Sequence, residues 1–212
     1  MTNKPADESS PTREAVLDAA ERLIGVLGYS KTTVEDVARA AGVGKRTVYV
    51  YFPSKEEVVL CTIDRIVGRL TARLRALAAA DRQRAEVLRA MLLDRVLFRF
   101  DSVRDYSHGL DELFASLRPA YLARRKAYFD AEAAVFAAVL AAGAAAGEFD
   151  CPDPTAAAET LLLATNSLLP YALSARELGR RKDVEARAGR IADMLLYGLC
   201  RKVRRGRPVP LP

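Results

Sequence analysis

Four side chains with nucleic-acid-binding chemistry are clustered in one short segment of the chain. Lys45, Arg46, Thr47 and Tyr49 bring two positive charges and two hydroxyl groups together. An arginine can donate two hydrogen bonds to guanine, a lysine or threonine can reach phosphates or base edges, and a tyrosine can stack on a sugar or bind a phosphate. No acidic residue occurs from Val37 to Lys55, so the segment attracts anions. The pattern favours nucleic-acid binding, and the alternative is an ordinary helical corner with solvated charges.

The elements that must position these side chains are two short helices joined by a tight turn. Gly42 supplies the permissive backbone that such a turn needs, and the small Ala38 lies where the two helices would cross. The apolar positions that would pack the helices together are Val37, Ala41, Val43, Val48 and Tyr51. This is a helix-turn-helix pattern, in which the second helix can enter the roughly 12 Å wide major groove of DNA.

Two capping-box patterns add candidates at helix N-termini. Thr32-x-x-Glu35 predicts the start of the first helix of the pair, and Ser54-x-x-Glu57 predicts the start of a long helix after Pro53. Free backbone N–H groups at a helix N-terminus favour a phosphate. We therefore expect contacts with DNA from both helix starts and from the second helix of the pair. The candidates are Thr32, Thr33, Gly44, Lys45, Arg46, Thr47, Tyr49, Tyr51 and Lys55.

The sequence Gly42-Val43-Gly44-Lys45 is similar to part of a phosphate-binding loop. A complete loop needs a glycine at the position of Arg39, a preceding strand, and a serine or threonine after the lysine. The chain has Arg46 at that last position, so we reject nucleotide binding by this segment.

The whole chain is predicted to be helical, which makes the fold class all-α. It has no alternation of β-branched and polar residues and no Asn-Gly or Asp-Gly hairpin turn. The predicted helices cover approximately residues 10–28, 33–42, 45–51, 54–79, 82–100, 107–117, 119–147, 154–178 and 183–201. Residues 1–9 are predicted to be a flexible arm and residues 204–212 a disordered basic tail. That tail either solubilises the chain or adds non-specific phosphate contacts.

Composition excludes several classes of protein. The chain has 212 residues, is 50% apolar, and carries 33 basic and 27 acidic residues for a net charge of +6. This composition excludes a disordered or collagen-like chain. The N-terminus lacks the basic and apolar blocks of a signal peptide, and the longest charge-free stretch, 133–147, is too short to span a bilayer. We expect a cytoplasmic protein without a membrane partner.

Metal, disulfide and catalytic chemistry have little support in the sequence. Cys61, Cys151 and Cys200 are far apart and form no C-x-x-C pair, and His108 is the single histidine. Neither a disulfide framework nor a zinc site is therefore suggested. No nucleophile–base pair stands out, so we expect no cofactor and no enzymatic activity.

Residues 13–60 resemble the DNA-binding domain of the TetR family of one-component regulators. The resemblance is carried chiefly by the segment TTVEDVARAAGVGKRTVYVYFPSKEEVV. Three positions depart from the family's pattern, because Gly44 replaces a frequent serine, Arg46 a common small residue and Val50 a frequent aromatic. The resemblance implies a DNA-binding domain over 10–53 and a helical effector-binding and dimerisation domain over 54–203.

The resemblance also implies a function. We expect a homodimeric repressor that binds a palindromic operator in double-stranded DNA, with half-sites about one helical turn apart. An apolar or aromatic small-molecule effector would release it from the DNA. The alternative is a DNA-binding regulator or activator without a small-molecule effector.

Two sets of residues in the second domain follow from the resemblance. The last two helices usually form a four-helix bundle with the partner, and the candidates here are Leu162, Leu169, Val184, Ala188, Ile191, Leu195 and Leu199. The candidate ligand-binding residues are Phe98, Tyr106, His108, Phe114, Tyr121, Phe129, Thr165 and Asn166. For both sets the alternative is that the chain's own core buries them.

Overall fold

The computed structural model describes the backbone of residues 10–104, 110–169 and 179–200, and the side chains of residues 10–102, 117–169 and 179–199. Within these ranges the chain forms helices and no strand, so the all-α prediction is confirmed. The helices are α1 (Pro11–Leu27), α2 (Val34–Ala40), α3 (Lys45–Tyr51), α4 (Lys55–Ala78), α5 (Arg84–Arg104), α6 (Leu110–Ala145), α7 (Pro154–Asn166) and α8 (Arg181–Cys200). The predicted arm and basic tail lie outside the described residues.

Helices α1 to α3 and the first turns of α4 enclose one apolar core, and we call this unit the head. Val16, Val37, Val48, Phe52 and Val58 are all buried in it. Each helix contributes one apolar face, and burying one such side chain contributes roughly 1.5–3 kcal/mol. Packing against this core therefore stabilises α3, because an isolated helix of seven residues would not be stable in water.

The turn between α2 and α3 depends on Gly42. Its φ of 71° lies in the left-handed region that favours glycine. The N–H of Val43 donates to the carbonyl of Ala38 at 2.9 Å, and Ala38 is buried where the helices meet. The turn predicted from the sequence is therefore present.

Helix α2 begins one residue later than the sequence predicts. Thr33 is the N-cap, since its hydroxyl accepts from the N–H of Asp36 and the Asp36 carboxylate accepts from the N–H of Thr33, both at 3.1 Å. Thr32 is buried and donates its hydroxyl to the carbonyl of Gly28 at 2.8 Å. Both threonines precede an acidic residue by three positions, so the pattern alone could not select between them.

Helix α4 joins the head to a second unit, which we call the body. From Leu70 onwards α4 packs with α5, α6, α7 and α8 around the second core. Arg65 of α4 pairs with three acids of α1, namely Glu14, Asp18 and Glu21. Partly exposed ion pairs contribute roughly 0–1 kcal/mol each, so these chiefly orient α1 against α4.

Two helices of the body differ from the prediction. Helix α6 is continuous and contains Pro119, where the sequence predicts two helices. A proline removes one helical hydrogen bond, and the packed residues that follow it sustain the helix here. Helix α7 ends at Asn166 rather than near residue 178. The N–H of Leu169 donates to the Asn166 carbonyl at 3.1 Å, because Pro170 has no N–H for the helical bond.

The segment Leu117–Ala145 of α6 is long and apolar enough to cross a membrane by length and composition, with a mean hydropathy of 1.4. Its residues Phe136, Val139 and Leu140 are buried in the second core, and its Glu132 is buried and paired with an arginine. This is the burial pattern of a core helix in a globular domain.

Candidate functional site

Helix α3 presents most of its candidate residues to solvent. Val48 on the inner face is fully buried in the head. Lys45 and Arg46 are exposed, Tyr49 is 47% exposed, and Thr47 is half-buried. The outer face of α3 therefore carries two cations and two hydroxyl groups, while its inner face packs against the core of the head.

The two ends of α3 are held differently. Gly44 is the N-cap and has no side chain to accept from the first N–H groups. A Cβ atom at Gly44 would lie 3.8 Å from the Thr47 hydroxyl, so a serine would fit there. Tyr51, at the other end, is half-buried and its hydroxyl lies 3.0 Å from that of Ser10. Tyr51 therefore ties α3 to the start of α1.

Of the two threonines predicted to contact phosphate, only Thr33 is exposed. Thr32 is 1% exposed and its hydroxyl is used within the head, so its assignment as a side-chain contact is corrected. The hydroxyl of Thr33 donates to the Asp36 carboxylate at 2.6 Å, and this bond and the backbone bond from Thr33 lower the pKa of Asp36. The N-terminus of α2 is thus already occupied by a carboxylate.

Lys55 lies at the start of α4 over an aromatic ring. Its ammonium nitrogen is 4.0 Å from the ring centroid of Tyr29, a cation–π contact. The hydroxyl of Tyr29 donates to Glu56 at 3.1 Å. Burial, together with this hydrogen bond, raises the pKa of Tyr29 to about 12. Sequence reasoning missed Tyr29 and Glu56, which position Lys55 across 26 residues of chain.

Comparison with known proteins identifies the head. A family model described as "Bacterial regulatory proteins, tetR family" matches residues 16–60. The HTH-type transcriptional regulator EthR of Mycobacterium tuberculosis is 32% identical over 143 residues, which are 61% of this chain and 65% of EthR. This chain belongs to the TetR family. The matched stretch covers less than two thirds of the length of EthR.

The TetR-family fold extends into the body. A transcriptional regulator from Cytophaga hutchinsonii superposes with a TM-score of 0.77 at 19% identity, covering 91% of this chain and 100% of that one. SmeT, the repressor of the Stenotrophomonas maltophilia multidrug efflux pump SmeDEF, has a TM-score of 0.65 at 24% identity, covering 97% and 98%. SmeT has also been solved in complex with triclosan. At these identities the similarity concerns the fold.

A buried cluster of charged side chains joins α5, α6 and α7 in the body. Arg95 is 2% exposed, and its Nε donates to the buried Glu132 carboxylate at 2.6 Å. Arg99 donates to the other oxygen of that carboxylate. The Nη atoms of Arg95 donate to the Thr165 hydroxyl at 2.8 Å and the Asn166 side-chain oxygen at 2.9 Å. Thr165 and Asn166, predicted to bind a ligand, thus hold Arg95 in place.

A narrow cleft opens beside this cluster. Its described lining consists of Arg95, Arg99, Tyr121, Arg125, Tyr128, Phe129 and Glu132. The cleft is partly open to solvent, and its inner space of about 10 Å³ is about the room that one water molecule needs. The cleft therefore has a charged floor and partly aromatic walls.

The structure brings together only part of the predicted ligand set. Tyr121 and Phe129 line the cleft. Phe98 packs instead towards α4, where the guanidinium carbon of Arg73 lies 5.4 Å from its ring centroid. The remaining candidates, Tyr106, His108 and the side chain of Phe114, lie outside the described residues.

Part of the stripe predicted for the dimer interface is buried within the chain. Its fully or almost fully buried members are Leu162, Leu169, Val184 and Ala188. Its half-buried members, which pack against the chain's own cores, are Ile191, Leu195 and Leu199. Val96 and Phe100 of α5 cover the start of the α8 stripe. The assignment of the four buried members to a dimer interface is therefore corrected to burial in the chain's own core, while the assignment of Ile191, Leu195 and Leu199 stays a prediction.

Both α7 and α8 also expose large apolar side chains to solvent. Leu163 of α7 is 60% exposed, and Met194 and Tyr197 of α8 are 77% and 67% exposed. Met194 and Tyr197 are three residues apart and so lie on one side of the helix. The sequence did not lead us to predict this face. Helix α8 has two apolar faces, and we predicted the interface from the one with the more regular spacing.

Proposed function

We propose that this chain is a cytoplasmic transcriptional regulator that binds palindromic operator DNA as a homodimer and is released by a small-molecule effector. The observation that carries the proposal is the cationic outer face of α3 on the head of a TetR-family chain. EthR, a transcriptional regulator, and SmeT, a repressor, support this class of function. No step of the proposed function is catalytic.

The proposed DNA contacts are of two kinds: some recognise bases, and others position the protein on the phosphate backbone. Arg46 donates two hydrogen bonds to a guanine, while Lys45 and Thr47 reach neighbouring base edges or phosphates. Tyr49 contacts a sugar or phosphate. Lys55, oriented by the Tyr29 ring, contacts the phosphate backbone, which adds affinity for all sequences.

The dimer is proposed to form through exposed apolar side chains, Leu163 of α7 and Met194 and Tyr197 of α8. A two-fold axis brings the same face of both copies together, so each copy covers the other's apolar side chains. Exposed apolar patches of this kind on helices are typical of association surfaces. The two α3 helices would then read half-sites about 34–36 Å apart.

Helix α6 supplies a physical connection between the body and the head. Arg124 of α6 donates to Glu57 of α4 at 2.7 Å and also to Asp64. Leu117 of α6 is buried in the core of the head. We propose that an effector which moves α6 changes the position of the head through these contacts.

A regulator without an effector is the second candidate function. The observation that favours it is the small space in the cleft, about 10 Å³. If no small molecule releases the protein from its operator, this second candidate replaces the effector-responsive one and leaves DNA binding unaffected.

The proposed function is tested by selection from random duplex DNA with the full chain at about 150 mM salt. We expect a palindrome whose half-site centres are about 10–10.5 base pairs, or a multiple of that, apart. Recovery of unrelated sequences would contradict specific operator binding.

Two arginine variants sharpen the selection. Arg46→Ala is expected to relax one base pair in each half-site, at a cost of about 1–3 kcal/mol in discrimination. Arg82→Ala, an exposed arginine between α4 and α5, is the matched control and should recover the wild-type palindrome. Recovery of the wild-type palindrome with Arg46→Ala would show that Arg46 does not recognise a base.

A further inference from the structure

We infer that Val50 of α3 is a specificity-determining residue, which packs its methyl groups against the C5-methyl group of a thymine in each operator half-site. The inference rests on the proposed function and deepens it, because it names one base pair that the operator contains and the side chain that recognises it.

The position of Val50 on α3 carries the inference. Val48 is fully buried in the head and so shows which side of α3 faces inwards. Arg46 and Val50 are each two residues from Val48, and at 3.6 residues per turn each lies about 160° around the helix axis from it. Arg46 is exposed and Val50 is 63% exposed. The most outward part of α3 therefore combines one cation with one apolar side chain.

The fold gains little from a valine at this position. Among the described residues, the core of the head takes Val48 and Tyr51 from α3 but not Val50. Valine is also a weaker helix former than alanine, leucine or lysine, because its branched side chain loses χ1 freedom in a helix. Val50 is thus neither a core residue nor a residue that stabilises a short helix.

The charge around Val50 favours DNA as its partner over an apolar protein surface. Lys45 and Arg46 are exposed on the same helix, and no acidic residue occurs from Val37 to Lys55. Such a surface attracts a polyanion. The base edges in the major groove present donors, acceptors and one apolar group, the methyl group of thymine. The side chain of Val50 can neither donate nor accept, so this methyl group is what it can recognise.

The spacing of Arg46 and Val50 predicts a pattern in the operator. Four residues of α-helix rise about 6 Å, and successive base pairs are about 3.4 Å apart. We therefore expect the thymine to lie about one to two base pairs from the guanine that Arg46 recognises.

The test replaces thymine by uracil, which removes the methyl group and leaves every hydrogen-bonding group of the base in place. The full chain is titrated against the selected palindrome by fluorescence anisotropy, and each thymine is exchanged in turn in both half-sites. We expect one position at which uracil weakens binding about tenfold, because one methyl contact is lost in each half-site. With cytosine at that position, 5-methylcytosine should bind more tightly than cytosine, because it restores the methyl group on a different base.

A variant assigns the contact to Val50. Val50→Ser removes both methyl groups and has a similar helix propensity, so the head should stay folded. This variant should bind the thymine and the uracil duplex alike. Val26→Ser, which changes a 75% exposed valine of α1, is the matched control and should keep the wild-type preference for thymine.

Three outcomes overturn the inference. It fails if the half-site contains no thymine or tolerates uracil at every position, and it fails if Val50→Ser keeps the preference for thymine. It also fails if Val50→Ser weakens random and selected duplexes alike, since Val50 would then contact the sugar–phosphate backbone. Failure of the proposed function is a different result, because no palindrome would be recovered. A palindrome that tolerates uracil contradicts the thymine contact and leaves the regulator standing.

Discussion

The head and the body of this protein place their cationic side chains in opposite ways. On α3, Lys45 and Arg46 are exposed while the apolar Val48 is buried beneath them. In the body, Arg95 of α5 is almost fully buried and donates to partners on two other helices, α6 and α7. A hydrated surface cation can reach a long polyanion at little cost, whereas a buried guanidinium costs several kcal/mol unless its donors are paired. The difference teaches that the exposed cations of the head are available to an external polyanion, whereas the buried cation of the body holds its own helices together.

The largest expected effect comes from breaking the buried cluster. Glu132→Gln leaves Arg95 and Arg99 without their carboxylate, so we expect a loss of about 3–5 kcal/mol in the free energy of unfolding. The measurement is urea denaturation at one fixed protein concentration. Asp130→Asn, which removes an exposed pair with Lys126 on the same helix, should cost less than about 1 kcal/mol. Equal losses of unfolding free energy in the two variants would contradict the difference between the buried and the exposed ion pair.

A cation at the edge of the head, Lys55, should affect DNA binding more than stability. Lys55→Ala is expected to weaken binding to all DNA sequences alike and to reduce the salt slope of log K by about 1, because one phosphate contact is lost. Fluorescence anisotropy with specific and random duplexes over a range of salt concentrations measures this. A loss confined to the operator would assign Lys55 to base reading instead.

The cap of α2 predicts a pH-dependent effect. Thr33→Ala should cost about 1 kcal/mol at pH 7, because the hydroxyl no longer accepts from the Asp36 N–H or donates to its carboxylate. Thr33 lowers the pKa of Asp36 in the folded state, so this stabilisation is present above the ordinary carboxyl pKa and is lost as the pH falls through the folded value.

Urea denaturation of the Thr33→Ala variant at several pH values tests this sign. The penalty should shrink between about pH 4 and pH 2. Thr160→Ala, which removes an exposed hydroxyl within α7, is the control and should show no such trend. If the loss of stability in Thr33→Ala were constant over this pH range, the ionisation of Asp36 would not contribute to the cap.

The smallest expected effect is a gain. Gly44→Ser adds a hydroxyl at the N-cap of α3, where a Cβ atom meets only ordinary contacts. We expect a stabilisation of a few tenths of a kcal/mol, measurable as a small rise in Tm. A loss of stability would show that α3 requires glycine at this position.

Local patterns were sufficient to predict most of the head. The range of α3, the turn at Gly42 and the end of α1 at Gly28 all follow from residues within a few positions. The exception was the cap of α2, where Thr32 and Thr33 offer equivalent patterns and only burial distinguishes them.

The chemistry of the body could not be predicted in the same way. Arg95 and Glu132 are 37 positions apart, and Arg95 and Asn166 are 71 apart, so no local spacing pairs them. The periodicity of α8 shows that an apolar stripe exists but not what covers it. Val184 and Ala188 are covered by α5, while Met194 and Tyr197 remain exposed.

The central claim is that two α3 helices related by a two-fold axis recognise one operator. The most direct test is anisotropy titration of the selected palindrome and of the same duplex with one half-site scrambled, at about 150 mM salt. We predict that the intact palindrome binds about 10³-fold or more tighter than random DNA and that scrambling one half-site removes most of that preference. Equal affinity for the palindrome and the scrambled duplex would contradict the claim.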